Sequence, residues 1–303
     1  MAVELPIERA PVALPEAGRV RIREARPDDW RDCGRICYEA FRSVATTHGF
    51  PPDFPTVMAA AEPIRGLIAH PRVYGVVAES DGAVVGSSFL DERSMISAIG
   101  PVTVDPACQD AGVGRRLMEA MLARVAERGA PGVRLVQISY HNRSLSLYAK
   151  LGFDVRASFA ALHGAVLDPS PRPGHAVRAA APDDQSSCDA LCVRVHGFAR
   201  AGELREAIAA GTARVVERGA RITGYSCKVE YWSHSVAETN DDLEALIADA
   251  GRIEPPGILV PVDNGELLRW GLGQGLRVFF VTNLMAIGIY QDPRGAYLPS
   301  VGY

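Results

Sequence analysis

The chain has 303 residues, 48% of them hydrophobic and 22% charged, enough for about two domains with sizeable cores. Its formal net charge of -4 leaves no basic field for nucleic acid or an acidic membrane face. The opening Met-Ala-Val-Glu-Leu-Pro has no signal-peptide pattern, and the most apolar run, Val278 to Tyr290, is too short to span a bilayer, so a cytoplasmic protein is expected.

Residues 1–18 carry three prolines and no periodicity, and are expected to form a flexible arm. Arg19 to Glu24 alternates as a strand. Pro27-Asp28-Asp29-Trp30 then opens a helix through Ile36, Cys37, Ala40 and Phe41, its acidic residues suited to a helix N-terminus. Thr46 to Pro55 reads as an aromatic, Pro-rich loop that something should cover. A second helix is expected from Thr56 to Ala69. A hairpin follows, Val73 to Glu79 and Ala83 to Leu90, about the turn residues Ser80-Asp81-Gly82. The next strand ends in Ile99-Gly100-Pro101-Val102-Thr103-Val104, where Gly100-Pro101 predicts a bulge or a splayed edge.

That strand runs into Asp105-Pro106, a loop carrying Gly112 and Gly114, and a helix marked by Leu117, Met121, Leu122 and Val125. A helix start of this kind offers unpaired amides, the positive end of a dipole and glycines that let an anion approach. Arg115 and Arg116 add charge. There is no Lys-Ser/Thr after Gly114, which excludes a P-loop, and Arg-Arg-Leu follows the Gly-x-Gly, which excludes the dinucleotide fingerprint. An ordinary Gly-rich helix entry is the plain alternative. Further on, the apolar strand Val133 to Ser139 precedes Asn142-Arg-Ser144-Leu-Ser-Leu-Tyr148-Ala-Lys-Leu-Gly152-Phe153, read as helix then strand. The segment from Phe153 to Leu162 reads as the last strands of this unit.

Together, Gln109-x-x-Gly112-x-Gly114 after a Val-rich strand and Asn142-x-x-x-x-x-Tyr148-x-x-x-Gly152-Phe153 resemble the GNAT N-acetyltransferase superfamily. The resemblance implies an α/β fold with a mixed, mostly antiparallel sheet flanked by helices, binding acetyl-CoA as co-substrate. It implies that the backbone at Val102, Thr103 and Val104 holds the acetyl and pantetheine groups. It places the diphosphate on Gln109, Asp110, Ala111, Gly112, Val113, Gly114 and Arg115, with Asn142 and Ser144 near pantetheine. Tyr148 would protonate the coenzyme sulfur, and the loop before the second helix would contact the acceptor. For Tyr148 the plain alternative is an aromatic covering the core edge, and for Asn142 a helix cap. Glu92 is taken as the base, with Asp91, Glu79, His48 and His141 also open. The acceptor is a small-molecule or protein amine; neither nucleic acid, a membrane nor a metal is expected as a partner, and the oligomeric state is open. A non-catalytic acetyl-CoA-binding or interaction module is the competing function.

The six cysteines should be reduced in such a compartment. Cys33/Cys37 and Cys188/Cys192 are spaced as pairs on helix faces, open to a zinc reading or to the commoner one of small buried residues. Cys108 beside the loop would modulate access if alkylated. Asp168-Pro169-Ser170-Pro171-Arg172-Pro173-Gly174 is a linker, and beyond it the chain starts again. Arg23, Pro27, Asp28, Asp29, Cys33 and Cys37 reappear as Arg178, Pro182, Asp183, Asp184, Cys188 and Cys192, a constant offset of 155 positions. Asn264 to Trp270 similarly echoes Asn142 to Tyr148. Two tandem GNAT-like domains are therefore expected, 19–167 and 176–303, joined by 168–175. The second lacks the Gln-x-x-Gly-x-Gly loop. Its third helix opens on Asn240-Asp241-Asp242-Leu243-Glu244, whose acidic residues would repel a diphosphate, so it is not expected to bind CoA.

Overall fold

Thr56 shows how short-range chemistry sets the element ends of the first half: its hydroxyl accepts from Ala59 N–H at 3.1 Å and starts a helix where the sequence predicts one. The computed structural model describes residues 20–170 and 172–302; the expected arm at 1–18 lies outside the described residues. Two compact units divide the chain: the residues up to Phe89 with Pro101–Arg124, and Leu90–Gly100 with the residues from Val125 on.

The first unit contains β1 (Arg21–Glu24), α1 (Trp30–Thr47), α2 (Val57–Ala69), β2 (Val73–Ser80), β3 (Ala83–Asp91), β4 (Ser97–Val104) and α3 (Val113–Glu127), with β3, β4 and α3 also giving residues to the second. Strands β1 and β2 pair antiparallel. The two-residue turn after β2 has Asp81 at φ +50° and Gly82 at φ +81°, the geometry that matches strand twist. Helix α1 runs further than its apolar period predicts, because Thr46 and Thr47 donate to Arg42 O (2.8 Å) and Ser43 O (2.7 Å) and hold the last turn. A Cβ on Gly34 would lie 2.4 Å from Ala61, so glycine there is what lets α1 and α2 touch. Cys33 and Cys37 are buried with Ala60, Ile64, Val77 and Phe89 as free thiols.

The second unit continues with β5 (Gly132–Ile138), α4 (Asn142–Lys150), β6 (Asp154–Ala165), β7 (Ala176–Ala179), α5 (Gln185–His196) and α6 (Ala201–Ala209). It ends with β8 (Arg214–Arg218), β9 (Arg221–Ser226), β10 (Ser235–Ala237), α7 (Asn240–Ala250), β11 (Arg252–Pro261), α8 (Gly265–Gly273), β12 (Arg277–Gly288) and β13 (Ala296–Leu298). A five-stranded sheet has the order β13-β10-β9-β8-β7. In the other sheet of this unit β4 runs parallel to β5, and β12 lies antiparallel between β5 and β6. Strand β11 covers the far edge of β6. The segment after Phe153 is therefore one twelve-residue strand and not a pair. Its apolar centre, Phe159 to Leu162, is buried, and such a strand needs a partner on each edge; both partners come from the second half. The result is the mixed α/β architecture expected, with a second sheet. Most of the apolar run Val278 to Tyr290 is β12, and among the described residues no helix is long and apolar enough to cross a membrane.

The offset of 155 positions reappears in the contacts. Arg23 holds Asp29 through bonds of 2.7 and 2.9 Å, and Arg178 holds Asp184 through bonds of the same lengths. Each carboxylate also accepts a main-chain N–H three residues earlier, from Arg26 and from Ala181. Cys188 and Cys192 are buried in their own core with Leu191, Leu204, Val215 and Tyr225.

Candidate functional site

Strand β4 delivers the chain to an ordered turn. Asp105, 6% exposed, accepts from Ala107 N–H at 2.9 Å and lies 3.4 Å from Arg35, while its own N–H donates to Val85 O at 2.9 Å. Thr103 turns its hydroxyl inward to Ser87 (3.1 Å), so only its backbone is available to a ligand; Val102 and Val104 are half-buried. The parallel ladder joins Ser97 to Val133 and Ala98 to Arg134 and stops there, ahead of Gly100 (φ +154°) and Pro101, which has no N–H to donate.

Two left-handed residues, Asp110 (φ +69°) and Gly112 (φ +76°), then bend the loop into α3. The first ladder bond after the loop is Arg116 N–H to Gly112 O at 3.2 Å, so the amides of Gly112, Val113, Gly114 and Arg115 precede the ladder. A Cβ on Gly112 would meet nothing within 4 Å: the space over this backbone is open. Val113 is buried and anchors the helix with Leu117, Met118 and Met121, whereas Arg115 is exposed, 3.6 Å from Glu119. Gln109 and Ala111 are half-buried and Asp110 exposed. A helix start with amides ahead of its ladder and open space over a glycine is chemically able to receive an anion. Cys108 is fully buried, which shields it from the alkylation its sequence position suggests.

Helix α4 carries the second group. Its cap is His141, so Asn142 is the first helical residue, exposed, and not the cap. Ser144 donates to His141 O at 2.9 Å and receives Gln137 Nε2 at 3.1 Å. Gln137, 2% exposed, was missed by sequence reasoning; an amide inside the Val133–Ser139 run was the available signal. Tyr148 is 9% exposed, its ring 6.1 Å from that of Phe153, and burial pushes its phenol up to about 12.

Among the carboxylates, Glu92 is half-buried, 3.8 Å from Arg128, whose guanidinium also donates to Glu92 O (3.1 Å), Ser94 O (3.3 Å) and Ser97 Oγ (2.7 Å). Asp91 is forked onto Arg93, which reaches Glu206 at 2.6 Å. Glu79 accepts from Arg23 at 2.7 Å, a bond that holds it below the usual carboxylate range. His48 is exposed, its Nδ1 2.8 Å from Val44 O, and His141 caps α4. Asp53, not singled out by sequence, is raised to about 6 by burial.

Helix α7 of the second half, whose acidic start the sequence singles out, has a different N-terminus from α3. Thr239 caps α7, and Asp242, fully buried, accepts from Arg218 Nε (2.9 Å), Thr223 (2.6 Å) and Thr239 (2.6 Å). Arg172 pairs with Asp241 and Glu244. The chain's own carboxylates and their partners fill this helix start.

Residues 35–153 match the model of the acetyltransferase (GNAT) family. No curated protein matches the chain. Among solved structures, a chain from Pyrococcus horikoshii described as an acetyltransferase has a TM-score of 0.71 at 18% identity, over 94% of this chain and 95% of that one. A GCN5-related N-acetyltransferase from Sphaerobacter thermophilus has a TM-score of 0.61 at 16% identity, over 92% and 98%. At such identities the likeness is one of fold. The α3 entry lies inside the matched segment: residues 35–153 are similar to the acetyltransferase (GNAT) family, and that match supports an acyltransferase.

Proposed function

We propose that the chain moves an acetyl group from acetyl-CoA to a primary amine of a small molecule or protein, in one direct transfer. The observation that carries this reading is the α3 entry: left-handed Gly112, open space above it, and amides ahead of the helical ladder. The diphosphate rests on residues 109–115 and pantetheine on the backbone of Val102 to Val104, with Asn142 and Ser144 as further polar contacts.

Acyl transfer needs a free amine lone pair, a stabilised oxyanion and a proton for the leaving thiolate. An ordinary alkylamine is neutral in only about one molecule in a few thousand at pH 7, so a base must take its proton. Glu92, oriented by Arg128, is the base we assign. Glu92 takes the ammonium proton and releases it to solvent; the C–N bond then forms as the C–S bond breaks, the nitrogen sheds its second proton to Glu92, and Tyr148 gives its proton to sulfur and is reprotonated from solvent. Burial keeps Tyr148 protonated at every physiological pH, so the donor form is always present. The second half (176–303) is read as a diverged copy that takes no coenzyme, because its own side chains occupy the corresponding helix start.

Calorimetry with acetyl-CoA and turnover against an amine panel test this. Gly112→Asp with Gly114→Asp should abolish binding by placing carboxylates on the cradle. Tyr148→Phe should cut turnover by roughly a hundredfold or more. Equal turnover in Tyr148→Phe removes that residue from the chemistry. Tight binding with no turnover in the unaltered protein favours the non-catalytic module.

A further inference from the structure

Three polar side chains lie in register across three strands of the second unit. Asn283 on β12 stands opposite Gln137 on β5 and opposite Ser158 on β6. Ser158 Oγ donates to Asn283 Oδ1 at 2.9 Å, and Asn283 Nδ2 donates to Gln137 Oε1 at 3.1 Å. The two hydrogens of Gln137 Nε2 are shared among three acceptors in reach, His141 O (3.0 Å), Ser144 Oγ (3.1 Å) and Ile138 O. His141 O also receives the first ladder bond of α4, from Leu145 N–H at 3.3 Å.

The row has one direction. Gln137 can offer its NH2 to the α4 start only while its oxygen faces the NH2 of Asn283. Turned over, the amide would set its oxygen against the carbonyl of His141. Gln137 is buried, so water cannot repair a mismatch there, and an unmade bond in such a place is costly. We infer that Asn283, from the second half of the chain, is a positioning residue for α4: through Gln137 it sets the start of the helix that bears Ser144 and Tyr148. The catalytic consequence rests on the function proposed above; the positioning itself does not.

Asn283→Asp tests it with the same shape and reversed polarity, because a carboxylate cannot donate to Gln137 Oε1. Hydrogen exchange of the full-length protein should show the α4 amides near Leu145 opening roughly tenfold more often, with core strands unchanged. Acetyl transfer should show kcat lower by about tenfold and KM for acetyl-CoA within about twofold, since displaced chemistry costs rate before it costs binding. If Asn283→Asp does not fold, Ser158→Ala carries the test: it leaves the Asn283–Gln137 bond but frees the amide to turn, and should give a smaller change of the same kind. Unchanged α4 exchange in a folded variant overturns the inference, whatever the activity. Absence of transfer in the unaltered protein counts against the proposed function alone, because exchange still reads the positioning.

Discussion

Asn240 and Asn264 exchange two amide hydrogen bonds, Asn240 Nδ2 to Asn264 Oδ1 at 3.1 Å and Asn264 Nδ2 to Asn240 Oδ1 at 2.8 Å. They stand at the starts of α7 and α8, the elements that the proposed duplication would set against α3 and α4. Asn264 also caps α8, accepting from Leu267 N–H at 3.3 Å. Where the first half leaves helix-start amides ahead of the ladder, the second half ties its two helix starts to each other. Calorimetric titration should therefore give one acetyl-CoA per chain; two equivalent sites would remove the idea of a closed second copy. Asn264→Ala should lower stability by about 1–2 kcal/mol in urea unfolding, through the lost cap and a stranded amide.

Gly112 offers a sharper separation of binding from folding. Alanine there meets no neighbouring atom, so its whole structural cost is the left-handed backbone, about 1–2 kcal/mol. Acetyl-CoA affinity should fall by more than that cost predicts, because the methyl also stands over the cradle. Parallel melts and titrations of Gly112→Ala decide it.

Tyr148 links alkaline stability to its burial. Its folded value of about 12 exceeds the unfolded one near 10, so the folded state holds the proton more tightly. That contribution is complete below pH 10 and is lost as pH rises from about 10 to 12, on the order of 2–3 kcal/mol. Unfolding curves of Tyr148→Phe and the unaltered protein should converge across that window. Turnover should show no alkaline limb from this phenol below about pH 11.

Glu203 and His234 act at the other end of the scale. His234 Nδ1 lies 3.2 Å from Glu203, which is forked onto Arg200 by two 2.8 Å bonds, and Tyr225 and Cys227 lie against the imidazole. Burial, then Arg200, hold His234 down to about 4. Burial alone would raise Glu203, but Arg200 and His234 outweigh it and keep it well below the carboxylate range. On acidification the unfolded chain binds both protons first, so stability should fall from about pH 6.5 downward. Glu203→Gln strands Arg200, 3% exposed, and should cost about 3–5 kcal/mol at pH 7 by chemical denaturation.

Asp53 has the opposite sign. Its folded value of about 6 lies above the ordinary 3.8 because burial disfavours the carboxylate. The folded form is favoured while protonated and loses that advantage as pH rises through about 6. Asp53→Asn should raise stability by about 1–3 kcal/mol at pH 7 and by little at pH 4. Equal effects at both values would show that the carboxylate is not desolvated.

Much of the first half is legible in the sequence alone. Asp81-Gly82, Thr56 and the Gly-bearing entry to α3 act on residues two to four positions away, so composition and spacing announce them. The recurrence of Arg, Pro and paired Asp at a constant offset is legible too, but the two matching ion pairs, Arg23–Asp29 and Arg178–Asp184, are findings of the structure. Neither the insertion of β12 between β5 and β6 nor the row Ser158–Asn283–Gln137 could be read that way. Strand partners here lie more than a hundred positions apart, and no local period says which edge a strand will take. The same holds for charge: Glu92 beside Arg128, Asp105 beside Arg35 and the burial of Asp53 arise only when distant segments close around a side chain. Sequence announced most elements of the first half, because caps, turns and periods act over a few residues; tertiary packing decided their neighbours, because desolvation and pairing depend on what the fold brings near.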